Sequence, residues 1–452
     1  MGSYTRYLAP TLVAGIAMTA VLVPHYKALN SVINLYTDFT ETDLHLAEFN
    51  KSCTRRHPDI LTGCEDMYLH GSTIYAACQA DSSMPNWNSW GRLIYTPGVN
   101  QVPGDKLYKW DLDTDVVTEL ELRGFPQTNG SAAERSFLGM DVNVLPNGKL
   151  SLYVINLLPI GNVIDKFSHD PSTNALEHVI RIPTDKPREE DAPENKDPAV
   201  PKYPNSVFAL PELDDEHAIF VSNDHYYEQP WLKLWEYGAL RPTTWLSYYS
   251  KSTGWKLVRD KIVSANGVTG NKEPKDRKIY VAAPMTGLVH VLQPKAGGAP
   301  YELEHVQDIN VKMPADNPKL VGDDLWVPGL ARGLLLDAYL FSQKGALTPL
   351  TDGGPGMIIK RVNTNQLGSG FFGEGYTSDP VVETIVVDGY GKVMNVSSTA
   401  WFKPYEVQKK LEVEEDREDD DEVEETQDVV KGDLYVTGIK SKGILVCKNI
   451  EA

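Results

Sequence analysis

Short apolar runs of one composition recur along the chain: a small or polar residue, then Leu or Ile, an aromatic, and Val or Ala. They read Ile74-Tyr75-Ala76, Leu152-Tyr153-Val154, Ile219-Phe220-Val221, Ile279-Tyr280-Val281, Leu325-Trp326-Val327 and Leu434-Tyr435-Val436. β-Branched and aromatic residues in runs this short favour central strands buried on both faces. Most copies are followed by a second apolar run that ends in turn residues, beginning at Leu107, Trp245, Leu288 and Leu334. The copies lie roughly 45 to 110 residues apart, compatible with four-stranded blades carrying loops of variable length. Six copies predict an all-β chain closed as a six-bladed β-propeller. A β-sandwich is the alternative, but six equivalent units with no hinge point favour a ring.

The pattern breaks in three places. Residues 7–23 are uncharged, follow Arg6 and end at Pro24. That length is long for a signal core and short for a membrane span. The segment 1–36 is therefore read as a hydrophobic N-terminal helix of signal or signal-anchor type, and 37–452 as the propeller. A buried core helix would instead show polar positions at helical spacing, and none occur. Residues 185–203 are rich in Pro and acids and read as a loop. Residues 406–428 hold roughly half of the chain's net charge of −19 and read as a solvated, disordered acidic loop. A calcium-buffering tail is the other reading of that run.

The acidic balance argues against a nucleic-acid partner, because no basic face remains for phosphates. Sequons at Asn50, Asn129 and Asn395 fit glycosylation on a secretory route, with the propeller lumenal or extracellular. Membrane association would then come through the N-terminal segment. Of four cysteines, Cys53 and Cys447 flank the repeats, so a bridge between them would tie the two ends of the ring. Spacing alone does not fix connectivity. Cys64 and Cys78 flank a hairpin turn at His70-Gly71; they could pair, but two small buried thiols are the favoured reading.

Polar residues recur just ahead of the repeats, on what would be the innermost strand of each blade. They are Gly63-Cys64-Glu65-Asp66, Tyr203-Pro204-Asn205-Ser206, Ser264-Ala265-Asn266-Gly267 and Ala315-Asp316-Asn317-Pro318. Four blades would thus aim carboxylate or carboxamide oxygens at one axis. Such a set suits a hard cation of Ca2+ size, whereas zinc would call for His or Cys. Any one Asn here reads equally well as a turn residue; the coincidence of four offsets favours a metal.

From about Thr37 to Cys447 the chain resembles the paraoxonase/arylesterase family. The resemblance rests on GCEDM around Glu65, YPNSVFAL around Asn205, VSNDHYYEQPWLKLWE from Val221, SANGVTG around Asn266 and DNPKLVGDDLWV from Asp316. It implies a propeller with a catalytic calcium held by Glu65, Asn205, Asn266, Asp316 and Asn317, and a Cys53–Cys447 bridge. It also implies a second, structural calcium, for which the corresponding positions are Asp66, Met140 and Ser206, with Asp141 nearby. Ser206 replaces a carboxylate there, so that site is expected to be weak or rearranged. The family's channel histidines are replaced by apolar residues, among them Leu138, Leu157 and Leu330.

Calcium can polarise a carbonyl without histidine, but attack by water needs a base. The candidates are Glu65, Asp224 and His225. A metal-bound Glu is a poor base, because the cation lowers its pKa. Both Asp224 and His225 also have structural readings. Three functions follow: a calcium-dependent hydrolase of lactones or aryl esters acting on small apolar substrates; a non-hydrolytic cyclase, isomerase or hetero-Diels–Alderase type of enzyme of secondary metabolism; or an inert binding propeller stabilised by calcium.

Overall fold

A computed structural model describes residues 53–79, 104–126, 135–158, 161–184, 199–227, 230–275, 277–333, 354–367, 380–389, 391, 393–394, 396–405, 430–439 and 441–451. The N-terminal helix, the three sequons, the Leu334 run and most or all of both predicted loops lie outside these residues.

The described strands form six sheets, and each repeat supplies the second strand of its own sheet. Blade one is Asp66–His70, Thr73–Cys78, Lys106–Asp111 and Val116–Glu119. Blade two runs from Phe137–Val144 through Leu150–Asn156 and Val163–His169 to Ala175–Pro183, with Glu121–Arg123 added in parallel at the outer edge. Blades three and four follow the same antiparallel order, starting at Pro204–Ala209 and Val268–Gly270. Blade five starts at Lys319–Val321, and its third strand is Met357–Asn363, in the place expected for the Leu334 run.

Blade six joins the two ends of the chain. Its strands Thr399–Pro404, Lys431–Thr437 and Ile444–Glu451 are completed by Cys53–Arg56, which pairs antiparallel to the last of them. Cys53 sits directly opposite Cys447, and the two are disulfide-bonded. A second bridge joins Cys64 to Cys78, correcting the expectation of two thiols. The hairpin explains it: Asp66 pairs with Ala77, which brings the residues just outside that pair together. Two bridges suit an oxidising compartment.

First strands touch first strands around the whole ring, blade one against two, and so on to six against one. The second strands are buried on both sides, which is why their sequences are continuous apolar runs. Packing between adjacent blades is largely apolar. Trp326 stacks on Phe402 at a centroid distance of 4.5 Å between blades five and six, for example. Among the described residues, no helix is long and apolar enough to cross a membrane.

Candidate metal centre and channel

Three blades present their polar residue through the same backbone anchor. Glu65 N–H donates to the Ala77 carbonyl, Asn266 N–H to Ala282 and Asp316 N–H to Pro328, at 3.2, 2.9 and 2.9 Å. Each residue stands just ahead of its first strand and is fixed to the second strand of the same blade. Asn205 lies on its first strand, where the pairing register shifts between Pro204 and Val207. Glycine permits the close approach of neighbouring blades: a Cβ on Gly267 would lie 2.4 Å from the Asp316 carbonyl oxygen, and one on Gly139 2.4 Å from that of Asn205.

Four of the five residues expected as ligands are joined in two pairs by side-chain hydrogen bonds. Asn317 Nδ2 donates to Glu65 Oε1 at 2.8 Å, and the Asn266 side chain hydrogen-bonds Asp316. Four buried oxygens in this set lack a hydrogen-bond partner: Glu65 Oε2, Asn205 Oδ1, Asn266 Oδ1 and Asn317 Oδ1. Buried acceptors left bare each cost about 1–3 kcal/mol, so four together call for an electropositive occupant. Burial, then the charges of Asp66 and Asp316, push the Glu65 carboxyl well above its ordinary range. Asp316 is raised likewise by burial, Asp66 and Asp224. An all-oxygen set with two strained carboxyls fits a hard divalent cation such as Ca2+.

Asp66 has a different environment. Lys319 Nζ lies 2.9 Å from Asp66 Oδ1, and both groups are buried. The carboxylate also accepts from Met67 N–H, Met140 N–H and the Thr399 hydroxyl, so both oxygens have donors. Ser206 Oγ accepts from Val268 N–H, and Asp141 is ion-paired with Lys272. At Asp66, then, the Lys319 ammonium supplies a positive charge. Sequence reasoning passed over Lys319, although a lysine opening the inner strand of a blade was the available signal.

His225 and Asp224 form a second polar group beside the centre. The His225 ring stacks on Tyr203 with centroids 3.8 Å apart, and its Nδ1 is 3.3 Å from Asp224 Oδ2. Asp224 accepts from the Tyr237 hydroxyl at 3.0 Å and from Ser264 Oγ at 3.2 Å. Burial alone would raise the Asp224 carboxyl; the His225 hydrogen bond, the Lys233 charge and Tyr237 outweigh it and hold it below its ordinary range. Its bonds are thus to side chains rather than to strand-end backbone. Lys233 and Tyr237, which sequence reasoning missed, come from the helix Pro230–Gly238 just after the NDHYY stretch.

Leu138, Leu157 and Leu330 come together in one apolar cluster with Val396 and Ile439. That buried cluster also takes in Val207, Ala209, Ile219 and Val221 of blade three.

Against families of known proteins, residues 212–342 match the Arylesterase family model. That stretch contains Asp224, His225, Asn266, Asp316 and Asn317. The chain is similar to the paraoxonase/arylesterase family. Serum paraoxonase/arylesterase 2 of Bos taurus is 28% identical over 44% of this chain and 50% of its own length. The Rattus norvegicus protein of that name is 26% identical over 54% of this chain and 63% of its own. Serum paraoxonase/arylesterase 1 of Homo sapiens is 27% identical over 29% of this chain and 37% of its own. The chain thus spans about half the length of the paraoxonases it matches.

Proposed function

We propose that this chain is a calcium-dependent hydrolase of lactones or aryl esters with small apolar acyl or alcohol parts. The observation that carries the reading is the set of four bare buried oxygens on Glu65, Asn205, Asn266 and Asn317. The likeness to arylesterases supports the reaction class. Glu65, Asn205, Asn266, Asp316 and Asn317 would hold the cation. When bound, calcium would polarise a substrate carbonyl and favour negative charge on its oxygen.

The protein's own groups supply the rest. His225 is the water-activating base, its ring position set by Tyr203 and its Nδ1 by Asp224. Asp224 stays ionised and so favours the protonated imidazole that forms as water is deprotonated. The wall of Leu138, Leu157 and Leu330 takes the apolar part of the substrate and limits the polar groups facing it. The two disulfides and the likeness to serum paraoxonases support an extracellular or lumenal location, with the N-terminal segment as signal or signal-anchor.

The test is turnover of a panel of lactones and aryl esters, with and without a calcium chelator, by wild type and His225→Gln. Chelator-sensitive hydrolysis that falls in His225→Gln at unchanged calcium affinity supports the reading. Absence of turnover by folded, calcium-loaded protein overturns it.

A further inference from the structure

The outer half of blade four carries a cluster of a different chemistry. His290 Nδ1 and His305 Nε2 each lie 2.7 Å from the same oxygen, Asp308 Oδ1. One donor atom from each of the three residues falls within 4.8 Å of the others. The strand geometry needed for this is unusual. His305 and Asp308 are three apart, and in a regular strand residues at that spacing point to opposite faces. A register shift between Val291 and Leu292 inserts Val306 as an extra residue, so that His305 opposes Leu292 while Asp308 opposes His290. All three side chains thereby share one face. His290 is only 8% exposed, so its ring is held in place, while His305 and Asp308 stand open to solvent.

We propose that His290, His305 and Asp308 form a binding site for a borderline divalent transition ion of the zinc class. Two imidazole nitrogens and one carboxylate oxygen are the donors such ions prefer, and the opposite of the all-oxygen set in the channel. Three protein ligands leave a fourth tetrahedral position to water or an exogenous ligand. The ring hydrogens now directed at Asp308 Oδ1 give way to the ion on binding. A bulge that re-aims one histidine, and a neighbouring histidine already buried, preorganise the three donors.

The experiment is calorimetric titration of untagged, full-length protein with Zn2+ at saturating calcium, with Co2+ absorption as an independent reading of geometry. The expected result is one equivalent of Zn2+, weakened at least about tenfold by His305→Ala and by Asp308→Asn, with visible Co2+ bands lost in both. Asn266→Ala should leave the Zn2+ isotherm unchanged. His305 and Asp308 are exposed, so both variants should fold as wild type does. Identical Zn2+ isotherms for wild type and these variants overturn the proposal, as does loss of zinc binding in Asn266→Ala alone. Failure of wild type to bind Zn2+ at all also overturns it.

Discussion

Lys319 of blade five reaches across to Asp66 of blade one, Nζ to Oδ1 at 2.9 Å, with neither side chain more than marginally exposed. The charge needed at this level of the channel is thus built into the chain. It also lies close enough to lower the Glu65 and Asp316 carboxyls against their burial, so one residue of the inner ring bears on the neighbouring centre.

Lys319→Met should destabilise the protein by about 3–5 kcal/mol, because it strands a buried carboxylate. Adding Asp66→Asn should restore most of the loss. Urea midpoints of the single and double variants check this.

Calcium affinity should fall sharply in Asn266→Ala, which removes one of the bare oxygens. Affinity should also rise with pH. Glu65 and Asp316 have raised pKa values without metal, so on acidification protons compete for the same oxygens and on alkalinisation they leave. Metal-free protein loses stability as pH rises through those raised values, and calcium restores it. Thermal melts with calcium and with chelator, at pH 5 and pH 8, should diverge more at the higher pH.

Cys64→Ser with Cys78→Ser opens a loop of sequence separation 14 and should cost roughly 3 kcal/mol. Denaturant midpoints of the variant and of wild type, both under oxidising conditions, measure the difference.

Asp165 is fully buried beneath His178, Arg181 and Asn156. Burial alone would raise its carboxyl, but those hydrogen bonds and the Arg181 charge hold it below the ordinary range. A depressed acid stabilises the fold fully above its unfolded pKa of about 4 and loses that contribution as pH falls through the folded value. Asp165→Asn should therefore be much less stable than wild type at pH 7, with the gap narrowing toward pH 3. Paired urea titrations at the two pH values measure it.

The ring was legible because a propeller buries the second strand of each blade on both faces, which leaves uninterrupted runs such as Ile279-Tyr280-Val281. The polar oxygens were legible because each stands a short way ahead of such a run, and three of the four blades hold theirs by the same backbone anchor. Blade five was misread at its third strand, since an apolar run at Leu334 and another at Met357 look alike without their pairing. Cys64 and Cys78 needed the hairpin register, which one sequence does not print. Lys319 looked like any surface lysine, because its meaning depends on Asp66, 253 positions away. The face shared by His305 and Asp308 depends on a single extra residue in a strand, a feature periodicity hides.

The clasp of Cys53 on Cys447 has a mechanical consequence. Tension applied between the segment ahead of Cys53 and the chain after Cys447 would run through one covalent bond, with their Cα atoms 4.0 Å apart. Of the sheet hydrogen bonds, only those of the few residues from Lys448 to Glu451 with the strand Lys431–Thr437 lie on that path. If the N-terminal segment is tethered, pulling frays that short strand end at most, and the rest of the ring is not loaded until the sulfur–sulfur link is cut.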